Sequence, residues 1–139
     1  MFRRGSLAET MLKRIEKAKT SAFVPGDFFD LSDRDQTGRV LRRLVRQGVL
    51  IKLGYGIYAR AGRSERSDKL VPEKYFPEVA KEALKKLNVT IYPTTYDRLY
   101  QSGGLQVPTG FVLGVRQRIS RNISFDGRSI KYERISSKN

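Results

Sequence analysis

An α+β fold is predicted by three stretches of the sequence. Residues 34–47 place Val40, Leu41, Leu44 and Val45 in one apolar arc if the chain turns at about 100° per residue, with Thr37 inside that arc. Residues 49–53 and 57–61 are apolar, β-branched or aromatic runs around Gly54, Tyr55 and Gly56, the mark of a hairpin with a glycine-bearing turn. Asp126 and Gly127, flanked by alternating side chains, predict a second hairpin. A helix delivered straight into a hairpin is the local pattern of a winged helix-turn-helix. The expected organisation is therefore a winged helix over 1–62, a linker over 63–69, and a small C-terminal α/β domain over 70–139 that ends in a β-hairpin.

The elements follow in order. Ser6 with Glu9 makes a capping box, and Ala8, Met11, Leu12, Ile15 and Ala18 then recur at helical spacing, predicting a helix over 7–18. Its outer face carries Lys13, Arg14 and Lys17, which suit either phosphate contacts or plain solvation. A short extended piece at 22–24 precedes Pro25, which opens a one- or two-turn helix through Phe28, Phe29 and Leu31, with its aromatics expected in the core. Ser32 or Asp33 caps the following helix, and Gly48 stops it in the left-handed region.

Residues 61–69, AGRSERSDK, are polar and without periodicity, which makes them the boundary between the halves. Pro77 introduces a helix lined by Ala80, Ala83, Leu84 and Leu87. Val89–Tyr92 reads as a short strand stopped by Pro93, Thr94 or Thr95 caps a short helix closed by Gly103 and Gly104, and Phe111–Val115 is an apolar strand. Counting outward from Asp126-Gly127 pairs Ile123 with Ile130 and Arg121 with Tyr132 on one face. Ser124 with Ser129, Asn122 with Lys131 and Ser120 with Glu133 share the other. Arg121 on the packed side is expected to lie over Tyr132 or to mark a contact surface.

Composition narrows the function. With neither Cys nor His, no thiol nucleophile, serine–histidine relay, thiolate zinc site or imidazole base can be built. No spaced carboxylate pair or phosphate-binding glycine loop takes their place, and Gly54-Tyr55-Gly56 lacks the third glycine and following helix of a dinucleotide loop. The expectation is a protein that is not an enzyme and takes no cofactor or metal. No apolar run approaches a membrane span, and the opening MFRRGSLAET lacks the apolar core of a signal peptide, so a cytoplasmic protein with no membrane partner is expected. The net charge is +14, and residues 1–65 and 66–139 each hold 14 Lys and Arg against 7 Asp and Glu, or +7 apiece. Such an excess favours a polyanionic partner, most simply nucleic acid.

The candidate DNA-binding residues lie on the helix and hairpin. Arg39, Arg42, Arg43 and Arg46, with Asp35 and Gln36, gather opposite the apolar arc. A helix entering the major groove presents its N-terminal half, so Gln36 and Arg39 are the expected base readers, Gln36 for adenine and Arg39 for guanine, with Arg34 or Arg43 as further candidates. Arg42 and Arg46 are better placed for phosphate. Thr37 joins the set from the same helix, while Lys52, Tyr55 and Arg60 are candidates for the backbone or minor groove. The basic residues Arg116, Arg118, Arg121, Arg128, Lys131 and Arg134 suit either an extended nucleic-acid surface or an acidic partner.

The succession RIEKAKTSAFVPGDFFDL, RVLRRLVRQGVLIKLGYGIYARA, IYPTTYDRLYQSGGLQVPTGFVLGV and ISFDGRSIKYERI resembles the AbiEi-like antitoxins of bacterial type IV toxin–antitoxin systems. That resemblance implies an N-terminal winged helix that binds promoter DNA and represses its own operon, with a C-terminal domain in the antitoxin role. It also implies a nucleotidyltransferase toxin as functional partner, opposed without the need for a tight complex. Carried over by position, DNA reading falls on Arg34 to Arg46 and on the wing around Tyr55. A dimer, or paired binding to an inverted repeat, is compatible with the short site a winged helix reads. Two other classes remain open from the residues: an RNA- or ribosome-associated basic protein, and an interaction module with an acidic protein partner.

Overall fold

The computed structural model describes residues 2–103 and 109–136. It is a mixed α+β structure in which, among the described residues, four α-helices accompany several small sheets. Helix α1 (Leu7–Lys17) starts at Ser6, whose hydroxyl accepts from the Glu9 amide. The Glu9 carboxylate reaches one residue further back than a standard capping box, to the Gly5 amide at 2.9 Å. Ala8, Met11 and Ile15 form its buried stripe.

Strand β1 (Ala22–Phe23) leads into a single 3-10 turn, Pro25–Phe28, shorter than the helix expected there. The tight turn decides where the two aromatics go. Phe28 points inward and stacks on Phe23 with ring centroids 6.3 Å apart, whereas Phe29, a third of a turn further on, is 45% exposed. The expectation of two core aromatics therefore holds for Phe28 and fails for Phe29, whose ring lies 5.9 Å from the Arg34 guanidinium.

Helix α2 (Arg34–Arg46) is capped by Asp33, which accepts from the Gln36 amide. Gly48 leaves it at φ +77°, the left-handed stop the sequence predicts. Strands β2 (Leu50–Gly54) and β3 (Ile57–Arg63) then form an antiparallel hairpin around Tyr55 and Gly56, with a register irregularity between Lys52 and Gly54. β1 pairs with β3 on its other edge. Strand β4 (Leu70–Pro72) pairs with the far end of β3, from Ala61 opposite Pro72 to Arg63 opposite Leu70. The stretch read as a linker is thus the end and loop of a β3–β4 hairpin.

Side chains alternate across this sheet, and both of its faces are covered. Phe23, Leu50 and Tyr58 pack with α1 and α2 around Met11, Ile15, Phe28, Leu41 and Leu44. Ala22, Leu53, Ile57 and Ala59 face the other way, into a cluster with Val79, Ala80, Ala83 and Leu84 of α3 (Phe76–Lys86) and with Leu113, Val115, Ile123 and Ile130. The N-terminal half thereby shares a hydrophobic cluster with the second.

After α3 the chain turns through Asn88, at φ +65°, and sends Val89 into the core. The strand expected over Val89–Tyr92 reduces to one bridge, Tyr92 with Gly114: at its start the Val89 amide donates to the Leu84 carbonyl of α3, and beyond its end Pro93 has no N–H with which to extend it. Helix α4 (Thr95–Gln101) is capped by Thr94 and Asp97, each accepting from the other's amide. Gly103 follows at φ +105°, while Gly104 lies outside the described residues.

Strand β5 (Val112–Val115) takes an unexpected partner. β6 (Ser124–Phe125) and β7 (Arg128–Ser129) do form the predicted hairpin, with Asp126 and Gly127 both at positive φ. Ser124 stands opposite Ser129, and the Ile130 amide donates to the Ile123 carbonyl at 2.9 Å. Beyond Ile130 the expected pairs Asn122 with Lys131, Arg121 with Tyr132 and Ser120 with Glu133 are replaced. β8 (Lys131–Arg134) runs parallel to β5, with Val112 opposite Lys131 and Val115 opposite Arg134. An apolar strand needs a ladder partner more than the polar, exposed Ser120–Asn122 segment does, and pairing β8 with it keeps Leu113 and Val115 buried. Tyr132 and Arg121 still meet, through a 3.0 Å bond from the tyrosine hydroxyl to the arginine carbonyl rather than ring to cation.

Candidate nucleic-acid interface

The candidate surface is built on α2, whose faces separate as its spacing requires. Thr37, Val40, Leu41 and Leu44 are buried, while Arg34, Gln36, Arg39, Arg42, Arg43 and Arg46 are exposed with Asp35. Thr37 is thereby removed from the contact surface. It is fully buried, and its hydroxyl has no hydrogen-bond partner among the described residues.

None of the five α2 arginines forms a salt bridge with a carboxylate among the described residues. Two of them touch aromatic rings instead. Arg43 lies over Phe2 at 4.7 Å, and Arg34 approaches Phe29. Among the described residues, Gln36, Arg39, Arg42 and Arg46 show no such ring contact.

The hairpin continues this surface. Lys52 is exposed, stands opposite Tyr58 in the ladder and shares the sheet side of Leu50, the side on which α2 packs. Burial pushes the Tyr58 phenol pKa up, and the nearby Arg42 charge opposes that rise. Arg42, Tyr58 and Lys52 thus lie on the same side of the sheet, where α2 meets the hairpin. At the turn, Tyr55 is 84% exposed.

Other basic candidates are engaged elsewhere. Arg60 forms a 2.9 Å ion pair with Glu73 and donates to the carbonyls of Ile15 and Ala18, so it braces α1 against the sheet and is unavailable to a backbone or groove. On α1, Arg14 makes a two-pronged pair with Asp30 at 2.7 and 2.9 Å and also donates to the Asp27 carbonyl. Arg14 accordingly holds the Asp30 carboxyl below its usual pKa.

The sequence offers Arg121 as a possible extension of a nucleic-acid surface but does not show which element it meets. Arg121 reaches the turn of the first hairpin, its Nη1 standing 3.5 Å from the Tyr55 carbonyl oxygen. Gly54 beside it has no room for a side chain, since a β-carbon there would overlap the Asn122 carbonyl. A glycine inside a strand was the available signal of such a close approach. Its partner, some seventy residues away in the chain, was not legible.

Among the described residues no group of three or more His, Cys, Asp or Glu side chains is placed to hold a metal ion. No helix among them is long and apolar enough to cross a membrane. A family model described as a family of unknown function, DUF6088, matches residues 9–139. The chain belongs to this family. The DUF6088 match takes in the exposed arginine helix, the hairpin and the whole second half. No curated protein and no solved structure matches the chain.

Proposed function

We propose that this DUF6088 protein is a sequence-specific, DNA-binding transcriptional autorepressor, with α2 as the recognition helix and β2–β3 as the wing of a winged helix. The observation that carries the reading is an exposed helical face of five arginines that form no salt bridge among the described residues, continued by Lys52 and a projecting Tyr55. Charges left unpaired on a rigid element suit a polyanion, and a helix followed directly by a hairpin has the shape that places one in a groove and the other on the flanking backbone. Gln36 and Arg39 are the base readers in this arrangement, Arg42 and Arg46 the phosphate contacts. Arg34 and Arg43 serve at the edges of the site.

The succession of segments that resembles AbiEi-like antitoxins supports a finer reading. The protein acts in the cytoplasm as the antitoxin of a type IV system and opposes a nucleotidyltransferase toxin. Its role involves no catalysis or cofactor of its own.

Binding by the full chain to duplex from upstream of its own coding sequence, to random duplex and to structured RNA tests the first part. The upstream duplex should bind tightest, and equal affinity for all three would sink the specific-repressor reading. Arg39→Ala should lose about 1–3 kcal/mol of discrimination at one base position. Arg46→Ala should weaken every duplex alike and flatten the salt dependence by about one unit. The antitoxin role predicts a nucleotidyltransferase frame beside this one and rescue of growth when the two are co-expressed. A second reading, an RNA- or ribosome-associated protein, draws on the +7 carried by the second half, and preference for structured RNA in the same experiment would establish it.

A further inference from the structure

We propose that Arg121, from the second half of the chain, is part of the DNA-binding surface and grips the phosphate backbone beside the turn of the β2–β3 hairpin. This rests on the DNA-binding reading above. Three features of the turn point there.

The first is position. The Arg121 guanidinium lies 3.5 Å from the carbonyl oxygen of Tyr55, the most exposed large side chain at the tip of the hairpin. A phosphate gripped at that tip is within reach of both residues. The second is charge. Arg121 is exposed and forms no salt bridge among the described residues, as with the α2 arginines and unlike Arg14, Arg60 and Arg63. Its one contact to Tyr55 uses one of five N–H donors.

The third is rigidity. The Asn122 carbonyl lies against Gly54, Ile123 is fully buried in the cluster with Leu53 and Ile57, and the Tyr132 hydroxyl donates to the Arg121 carbonyl. The main chain of 121–123 is therefore locked to the hairpin from one side and to β8 from the other. With the main chain already fixed, only the side chain's own rotamers remain to be ordered when the guanidinium meets a phosphate, which favours the contact. Residues 121–123 pack on the Leu53 and Ile57 side of the sheet, opposite α2 and Lys52, so a duplex lying along α2 and the hairpin would meet Arg121 at the tip, and there the second half helps to form the interface.

The test measures salt-dependent affinity of the full chain for fluorescent duplexes, one from upstream of its coding sequence and one of random sequence. Arg121→Ala should weaken both alike, by about fivefold at about 0.15 M salt, and flatten the slope of log affinity against log salt by about 0.9. Arg121→Lys should restore the slope. Lys85→Ala, which removes the same charge from the exposed side of α3, should leave it unchanged. The thermal midpoint of Arg121→Ala should match the wild type.

A wild-type slope in Arg121→Ala overturns the inference, and so does an equal flattening by Lys85→Ala, which would mark a general charge effect. If Arg46→Ala flattens the slope while Arg121→Ala does not, this inference falls and the DNA-binding reading stands. If the wild type binds neither duplex, both fall.

Discussion

Two regions of this molecule use the same residue types to opposite ends. At the seam between β1 and the second half, the charges are saturated. The Glu82 carboxylate accepts from the Ser21 and Ala22 amides at 2.8 and 3.1 Å and from Lys74 at 2.9 Å. Glu73 accepts from Arg60 and from the Ser21 hydroxyl, and Lys86 donates to the Ala22 carbonyl and to Asp27. On the outer face of α2 the exposed arginines form no salt bridge among the described residues. Half-buried charge is stable only when paired and hydrogen-bonded, so the seam is a structural joint. Hydrated, unpaired charge costs the fold little and stays available to an outside partner. Which arginines are left for an outside partner is therefore decided less by how many there are than by which have carboxylates beside them.

The comparison can be broken or sharpened by substitutions of decreasing effect. The largest should come from the inner side of α2 itself. Leu44→Ala, at a fully buried position, should cost about 2–5 kcal/mol in denaturant unfolding. A much smaller loss would mean that the helix is not held by its apolar face.

At the seam, Glu82→Ala strands two backbone amides and Lys74 and should cost about 1–3 kcal/mol. Faster hydrogen exchange at Ser21 and Ala22, with affinity per folded molecule unchanged, would separate this joint from the binding face. On the outer face, Arg42→Ala and Arg46→Ala should each shift stability by no more than about 0.5 kcal/mol while weakening duplex binding. A loss of stability comparable with Glu82→Ala would erase the contrast.

The smallest effect is in acid. Arg60, then Ser21, hold the Glu73 carboxyl below its ordinary value of 4.5. Its folded pKa is thus lower than its unfolded one, so its contribution to stability is complete above the unfolded value and is lost as pH falls through the folded value. Glu73→Gln should flatten that part of the acid unfolding curve and leave stability near neutrality less pH-dependent than the curve below 4.5. An unchanged acid limb would place the titrating groups elsewhere.

What could be read in the chain beforehand was local. Ser6 as a cap, Gly48 as a stop and Asp126-Gly127 as a turn each act within a few residues and sit where spacing and side-chain chemistry place them, while of the alternatives the sequence leaves open, Ser32 or Asp33 and Thr94 or Thr95, the structure uses Asp33 and Thr94. The outer face of α2 was legible for the same reason, since helical periodicity assigns a side to every residue. Apart from the outward Phe29 and the lost strand over Val89–Tyr92, the misplaced contacts were non-local. β8 was assigned to the nearest antiparallel neighbour because hairpin register is visible in sequence, whereas its parallel pairing with β5 depends on an apolar strand that reads the same with any partner. Arg60 resembled a groove-facing cation until Glu73 and two α1 carbonyls were seen around it. Thr37 was placed correctly in the apolar arc, yet counted among the contacts; its burial follows from that placement.

The two-sided burial of the β1–β3–β2 sheet bears on how the protein can be handled. A fragment ending at residue 62 keeps α1, α2 and the hairpin but bares Leu53, Ile57 and Ala59, and it leaves the far end of β3 without β4. An uncovered apolar face beside an unpaired strand edge is a template for self-association. Such a fragment would aggregate on its own, and any binding measured with it would report the clump rather than the molecule.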